Sequence, residues 1–177
     1  ANIIGYDFPD GSVHEYLSRQ YGVDYEESKK LSFKYLYGGI PKDISTNIPF
    51  FNQVSKYIKD KWYEYNSTFS VKSDIYNREI SKKNLADMNP NKLFNYLIQL
   101  NETEYNMKML SDLTMIVRPY KSKLILYQYD SFLFDFCLDD GKEFLQKIRT
   151  TIEQNGNFPV KVSKGMNYHE MKEIVEK

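Results

Sequence analysis

Three groups of residues in this 177-residue sequence have types and spacing that could do chemistry. Lys29, Phe33 and Tyr37 recur every four residues, an interval that puts them on one face of a helix. An ammonium, a flat ring and a phenol in a row can seat a nucleoside triphosphate. The cation would meet phosphate, the ring would lie against base or sugar, and the phenol would border the template base. The plain alternative is an amphipathic helix whose rings pack on the core, with Lys29 at its solvated edge. Asn95 and Gln99 lie one helical turn apart, and carboxamides both donate and accept, which suits base edges and minor-groove acceptors. Surface amides on a helix are more often simply solvated. Asp130 stands between two apolar runs, Leu124–Gln128 and Phe132–Phe136. An unpaired carboxylate is costly in a core, so it belongs at the tip of a tight hairpin, Tyr129-Asp130-Ser131. From there it projects into whatever cleft the sheet faces. It either helps to hold a divalent metal or just forms the turn, for which Asp is well suited.

The elements that must position these groups can be read in order. Residues 1–12 are turn-rich, with Asp7, Pro9, Asp10 and Gly11. Val13–Tyr21 reads as a short helix, capped by Ser12 with Glu15 three residues on and stopped by Gly22. Asp24-Tyr-Glu-Glu27 is a capping-box-like start for a helix over Tyr25–Tyr37, stopped by Gly38-Gly39 and Pro41. Pro49 opens a helix to about Asn66 whose stripe is Phe51, Val54, Ile58, Trp62 and Tyr65. Phe69–Ile80 alternates weakly, with Asn77-Arg78 as the turn and second arm of a short hairpin. Lys82–Pro90 is polar and marks a boundary between subdomains 1–81 and 82–177. A long helix over Lys92–Val117 buries Leu93, Leu97, Leu100, Met107, Leu110, Leu113 and Ile116, and Arg118-Pro119 ends it. After the hairpin, Asp140 caps a helix that buries Phe144, Leu145, Ile148 and Ile152 and stops at Asn155-Gly156. Phe158–Ser163 reads as a strand, and Gly165–Met171 opens a last helix.

Composition excludes some classes. Lys+Arg and Asp+Glu are 24 each, so no global field favours nucleic acid, and any binding face must come from local segregation of charge. The 16 Tyr and 11 Phe suit stacking surfaces and bulky cores equally. Cys137 is the one cysteine, which excludes an internal disulfide, fits a reducing compartment, and reads as a small buried hydrophobe. His14 and His169 lack zinc spacing. Within these residues no stretch has the pattern of a signal peptide, and no apolar run reaches membrane-spanning length. The abrupt start at Ala1 leads us to expect a piece of a longer chain.

The order of these segments resembles the C-terminal part of a family A DNA polymerase, the bacterial DNA polymerase I class. Lys29, Phe33 and Tyr37-Gly38 are similar to its fingers motif, K-x3-F-x3-Y-G. Asp7 and the Val13–Tyr21 helix resemble the segment before it, and Arg78 falls where the family has a basic hairpin. Asn95-Tyr-Leu-Ile-Gln99 resembles its N-x-x-x-Q. Gln128-Tyr-Asp130 resembles the Q-V-H-D hairpin that carries a metal-binding Asp, and Gly165-Met-Asn-Tyr168 resembles G-x-N-W. The likeness spans almost the whole chain. Four positions depart from the pattern: Tyr25 replaces an Arg, Lys34 a Gly, Tyr129 the hairpin His, and Ser131 an acidic residue. Such divergence fits a viral or plasmid-borne member acting in the bacterial cytoplasm.

The resemblance implies an α+β fold: helical fingers in 1–81 and a partial palm in 82–177, with a two- or three-stranded antiparallel sheet backed by long helices. It implies template-directed transfer of a nucleotide from dNTP to a primer 3′-hydroxyl, with two Mg²⁺ ions held partly by Asp130. Lys29 would neutralise the triphosphate, Phe33 would select the sugar, and Tyr37 would border the template base. Arg78, Asn95, Gln99 and Tyr129 would hold primer–template DNA. The family's other metal-binding Asp has no counterpart in residues 1–12 and is expected upstream, so this piece alone is expected to be inactive. Absent palm strands should leave apolar surface through which it self-associates. The rival readings are a non-catalytic nucleic-acid-binding domain on the same scaffold and a purely structural helical module.

Overall fold

The computed structural model describes residues 1–8, 13–84, 87–154 and 158–174. The expected Ser12 cap and the Asn155-Gly156 stop lie outside them. In order come α1 (Val13–Tyr21), α2 (Tyr25–Gly38), α3 (Lys42–Asn47), α4 (Pro49–Thr68), β1 (Ser70–Lys72), β2 (Glu79–Ser81), α5 (Pro90–Val117), β3 (Lys123–Gln128), β4 (Ser131–Asp135), α6 (Gly141–Glu153), β5 (Ser163–Lys164) and β6 (Lys172–Glu173). The fold is α+β, its strands forming antiparallel two-stranded hairpins. The chain forms two compact units, Ala1–Glu104 and Tyr105–Lys177. The expected break at 81/82 falls inside the first unit, because the β1–β2 connection is hydrogen-bonded to Asn101 and Glu104 of α5. No helix among the described residues is long and apolar enough to cross a membrane.

In the first unit, Asp24 caps α2 by accepting the Glu27 N–H at 2.8 Å, and its charge meets the positive end of the helix dipole. Leu17, Ile48, Phe50, Phe51, Val54 and Phe94 form one core, and Tyr65, Val71, Leu93 and Leu97 a second. Pro49 sits at the start of α4, where its missing N–H costs nothing. Helix α3 has no counterpart in the sequence pattern, because at six residues it is too short to display a periodicity.

In the second unit, Leu113, Val117, Phe144 and Ile148 form the core, with Tyr120 stacked on Phe144 at a centroid distance of 3.8 Å. Strands β3 and β4 pair Leu124 with Phe134 and Gln128 with Ser131, and a bulge falls at Ile125. The hairpin is less buried than its composition suggested: Ile125 and Leu126 are exposed, since one face of a lone hairpin is left uncovered.

Other expectations need correction. Met107 is exposed, and Asn101 and Glu104 are buried in its place along α5. Asp140 does not cap α6 with its side chain; its carboxylate instead accepts from Ser122 Oγ at 2.6 Å, Ser122 N–H at 2.7 Å and Lys121 N–H at 3.2 Å. The strand expected at Phe158–Ser163 begins only at Ser163. The last helix is a single 3-10 turn, Tyr168–Glu170, capped by Asn167, which accepts from the His169 and Glu170 N–H groups.

Candidate nucleotide and nucleic-acid interface

Helix α2 turns its smallest side chains inward. Ser28 and Ser32 are buried against α1, where Ser28 Oγ donates to the His14 carbonyl at 3.0 Å and Tyr21 Oη lies 3.3 Å from Ser32 Oγ. Small residues at i and i+4 let the two helices approach closely. The line beside them, Lys29, Phe33 and Tyr37, consequently faces solvent. Phe33 is 45% exposed and Tyr37 44%, with their rings stacked 6.0 Å apart at 18°. The alternative in which these rings fill the core does not hold, because Tyr35 and Leu36 pack on that core instead. His14 borders the line, its ring 6.1 Å from that of Phe33 and 5.7 Å from that of Tyr25. Its Nδ1 is buried without a partner. Partial burial and then the Lys29 charge hold its pKa below the usual histidine value, against an opposing pull from Glu26. Reading His14 only for metal spacing missed this neighbourhood; its position eleven residues before Tyr25, across the Gly22 turn, was the available signal.

The two carboxamides of α5 have different environments. Gln99 is exposed. Asn95 Nδ2 donates to the Tyr37 carbonyl at 3.3 Å, satisfying one of the open carbonyls at the end of α2, and its Oδ1 is buried without a partner. Gly39, just past that end, has φ at 108°, and a Cβ there would stand 2.8 Å from Nδ2 of Asn91, one turn before Asn95 on α5.

Arg78 is exposed in the β1–β2 connection, and its backbone is tied on both sides. Its N–H donates to Ser73 Oγ at 2.8 Å, and its carbonyl accepts the Ser73 N–H at 2.9 Å. Ser73 Oγ in turn donates to Glu104 Oε1 at 2.7 Å, and Tyr76 N–H donates to Glu104 Oε2 at 3.0 Å. Asn101 receives the Asp74 N–H at 3.0 Å and donates to Asp74 Oδ2 at 2.9 Å. From α4, Tyr57 Oη donates to the same oxygen at 2.7 Å and Lys61 Nζ lies 3.2 Å from Asp74 Oδ1. Burial first, then the bond to Asp74, pushes the Tyr57 hydroxyl pKa up strongly. The sequence carries a signal for these residues: Asn101 and Glu104 occupy the buried register of α5 four and seven residues after Leu97.

Tyr129 and Asp130 lie in the second unit, at the two-residue turn that joins β3 to β4. Tyr129 is 81% exposed with φ at 54°, a left-handed conformation that a side chain adopts at a cost of about 1 kcal/mol. Asn106 Nδ2, on a buried face of α5, braces the turn by donating to the Tyr129 carbonyl at 3.2 Å. Asp130 is exposed at the tip, as its sequence context required. Mg²⁺ takes about six oxygen ligands, and among the described residues no group of three His, Cys, Asp or Glu side chains could hold a metal ion. Asp130 alone does not make a Mg²⁺ site.

No protein-family model matches the sequence, and no curated protein does. Comparison of folds finds a match in the polymerase domain of Pol1 from M. smegmatis, a structure in complex with DNA primer-template and dNTP. The TM-score is 0.65 at 16% sequence identity, over 84% of this chain and 32% of that one. The fold is polymerase-like. At this identity the match speaks for architecture, and this chain spans about a third of the length of its structural neighbour.

Proposed function

We propose that the chain is the nucleotide- and template-holding part of a template-directed DNA polymerase, of the family A type that its motif order resembles. The observation that carries this is the solvent-facing Lys29–Phe33–Tyr37 line on a capped helix within a polymerase-like fold. In this reading Lys29 offsets triphosphate charge and the Phe33 ring lies against sugar and base. Tyr37 borders the template base. Arg78, Gln99 and Tyr129 contact primer–template DNA, while Asn95 acts chiefly by holding the end of α2. Asp130 is one carboxylate of a metal site that is complete only with acidic residues from a further polypeptide segment, so this chain alone binds its ligands without extending a primer.

A second reading, a non-catalytic nucleic-acid-binding domain on the same scaffold, draws support from the donor set at the hairpin tip, where Ser131 follows Asp130. Fluorescence anisotropy with labelled primer–template DNA and dNTP, run beside primer extension, separates the two. The polymerase reading expects binding by this chain and extension only by a longer polypeptide that supplies further carboxylates, with extension lost in Asp130→Ala. Binding with no extension by that polypeptide would favour the non-catalytic domain. A folded chain that binds neither DNA nor nucleotide would refute both.

A further inference from the structure

We infer that the buried carboxylate of Glu104 is a positioning residue for nucleic acid, acting through the loop that presents Tyr76 and Arg78. This rests on the nucleic-acid-binding reading above and names part of the machinery behind it. Glu104 is 1% exposed, and its described partners are neutral donors, the Ser73 hydroxyl and the Tyr76 N–H. Burying a carboxylate is unfavourable unless its oxygens are hydrogen-bonded. An apolar residue at this position would serve the packing of α5 without that penalty. The arrangement is therefore explained by what it holds rather than by stability.

What it holds is a six-residue connection, Ser73–Arg78, fixed at its base and exposed at its tip. Ser73 takes the Arg78 N–H at 2.8 Å while donating to Glu104, so the carboxylate sits one hydroxyl away from the arginine backbone. Tyr76, whose N–H is on the other Glu104 oxygen, is 52% exposed. Asn77 between them has φ at 54°, the left-handed turn that separates the two side chains along the tip. An exposed ring and an exposed guanidinium two residues apart on a rigid loop suit a nucleic-acid strand. The guanidinium meets a phosphodiester, and the ring lies against a sugar or an unpaired base. A loose loop would have to be ordered on binding and would lose affinity to that entropy; Glu104 removes the loss in advance.

The test is a double-mutant cycle on the whole chain, with anisotropy of a labelled primer–template DNA as readout and circular dichroism confirming folding. Arg78→Ala should weaken binding about tenfold and reduce the dependence on salt by about one phosphate contact. Glu104→Gln should weaken binding about three- to tenfold, because the amide keeps one acceptor oxygen and its nitrogen cannot accept the second donor. Added to the paired change Tyr76→Ala with Arg78→Ala, Glu104→Gln should weaken binding no further, because both side chains that it positions are then gone. Ser73→Ala breaks the same relay without touching the carboxylate and should give the same pattern should Glu104→Gln fail to fold. Effects of Glu104→Gln, or of Ser73→Ala, that persist undiminished when Tyr76 and Arg78 are both alanine would overturn the inference while leaving nucleic-acid binding intact. No binding by the wild-type chain would overturn both.

Discussion

Two phenylalanines of the first unit should respond in opposite ways to truncation. Phe33 lies on the outward line of α2 and is 45% exposed, whereas Phe51 is fully buried at the start of α4. Fully burying a Phe side chain contributes roughly 2–3 kcal/mol, so the half-buried Phe33 ring holds about 1 kcal/mol by area. Its stack on Tyr37 adds about 0.5–1 kcal/mol. Phe33→Ala should therefore cost about 1–2 kcal/mol. Phe51→Ala loses a buried ring and leaves a cavity, a change that costs about 3–5 kcal/mol. At about 2–4 °C per kcal/mol for chains of this size, the expected falls in Tm are about 5 °C and about 10 °C or more. Nucleotide binding should order the pair the other way. A base or sugar against an aromatic ring contributes about 1–3 kcal/mol, so Phe33→Ala should weaken dNTP binding about 5- to 150-fold. Folded Phe51→Ala protein should bind nearly as the wild type does. Thermal melts and nucleotide titrations on the two variants decide the matter. If Phe33→Ala melts as early as Phe51→Ala, the ring belongs to the core and the outward face is wrong. If it is stable and binds dNTP undiminished, α2 is not the nucleotide seat.

Two further outcomes follow from hydrogen bonds. Asn95→Asp removes the donor to the Tyr37 carbonyl and sets a negative charge at the negative end of α2. The last turn should loosen by about 1–3 kcal/mol, read as roughly tenfold or greater acceleration of hydrogen exchange at the Gly39 amide, which donates to the Tyr35 carbonyl; unchanged exchange would sink that account. Asp140 gives the pH dependence. Desolvation would raise its pKa, but bonds from Ser122 and Lys121 and the Lys121 charge outweigh that and hold it below the usual carboxylate value. Because the folded pKa is depressed, its contribution is fully present above the unfolded value of about 4 and is lost as pH falls through the lower folded value. Urea midpoints measured from about pH 6 to about pH 3 should fall less steeply in Asp140→Asn than in the wild type; identical slopes would mean that another group sets the acid limit.

Local chemistry made much of this protein legible before its structure. Asp24 and Glu27, Gly22, Pro49, and Arg118-Pro119 bound their helices because caps and breakers act within one turn of chain. Asp130 stands at a hairpin tip because a lone carboxylate between two apolar runs has nowhere else to go without losing water. The four-residue spacing of Lys29, Phe33 and Tyr37 established a shared face, but not whether that face looked inward. Ser28 and Ser32 decided that by packing against α1, a contact between helices that no periodicity within α2 contains. The same limit explains Asn95, which finds the end of α2 at a separation of 58 residues, and Asp140, whose partners lie eighteen and nineteen residues away. It explains Glu104 as well, since a carboxylate in an apolar register reads as an error until the loop that fills it is known. Spacing along the chain determined which groups could act together; which of them face water, and which are held by a distant backbone, was decided by long-range hydrogen bonds and packing that only the folded chain brings into reach.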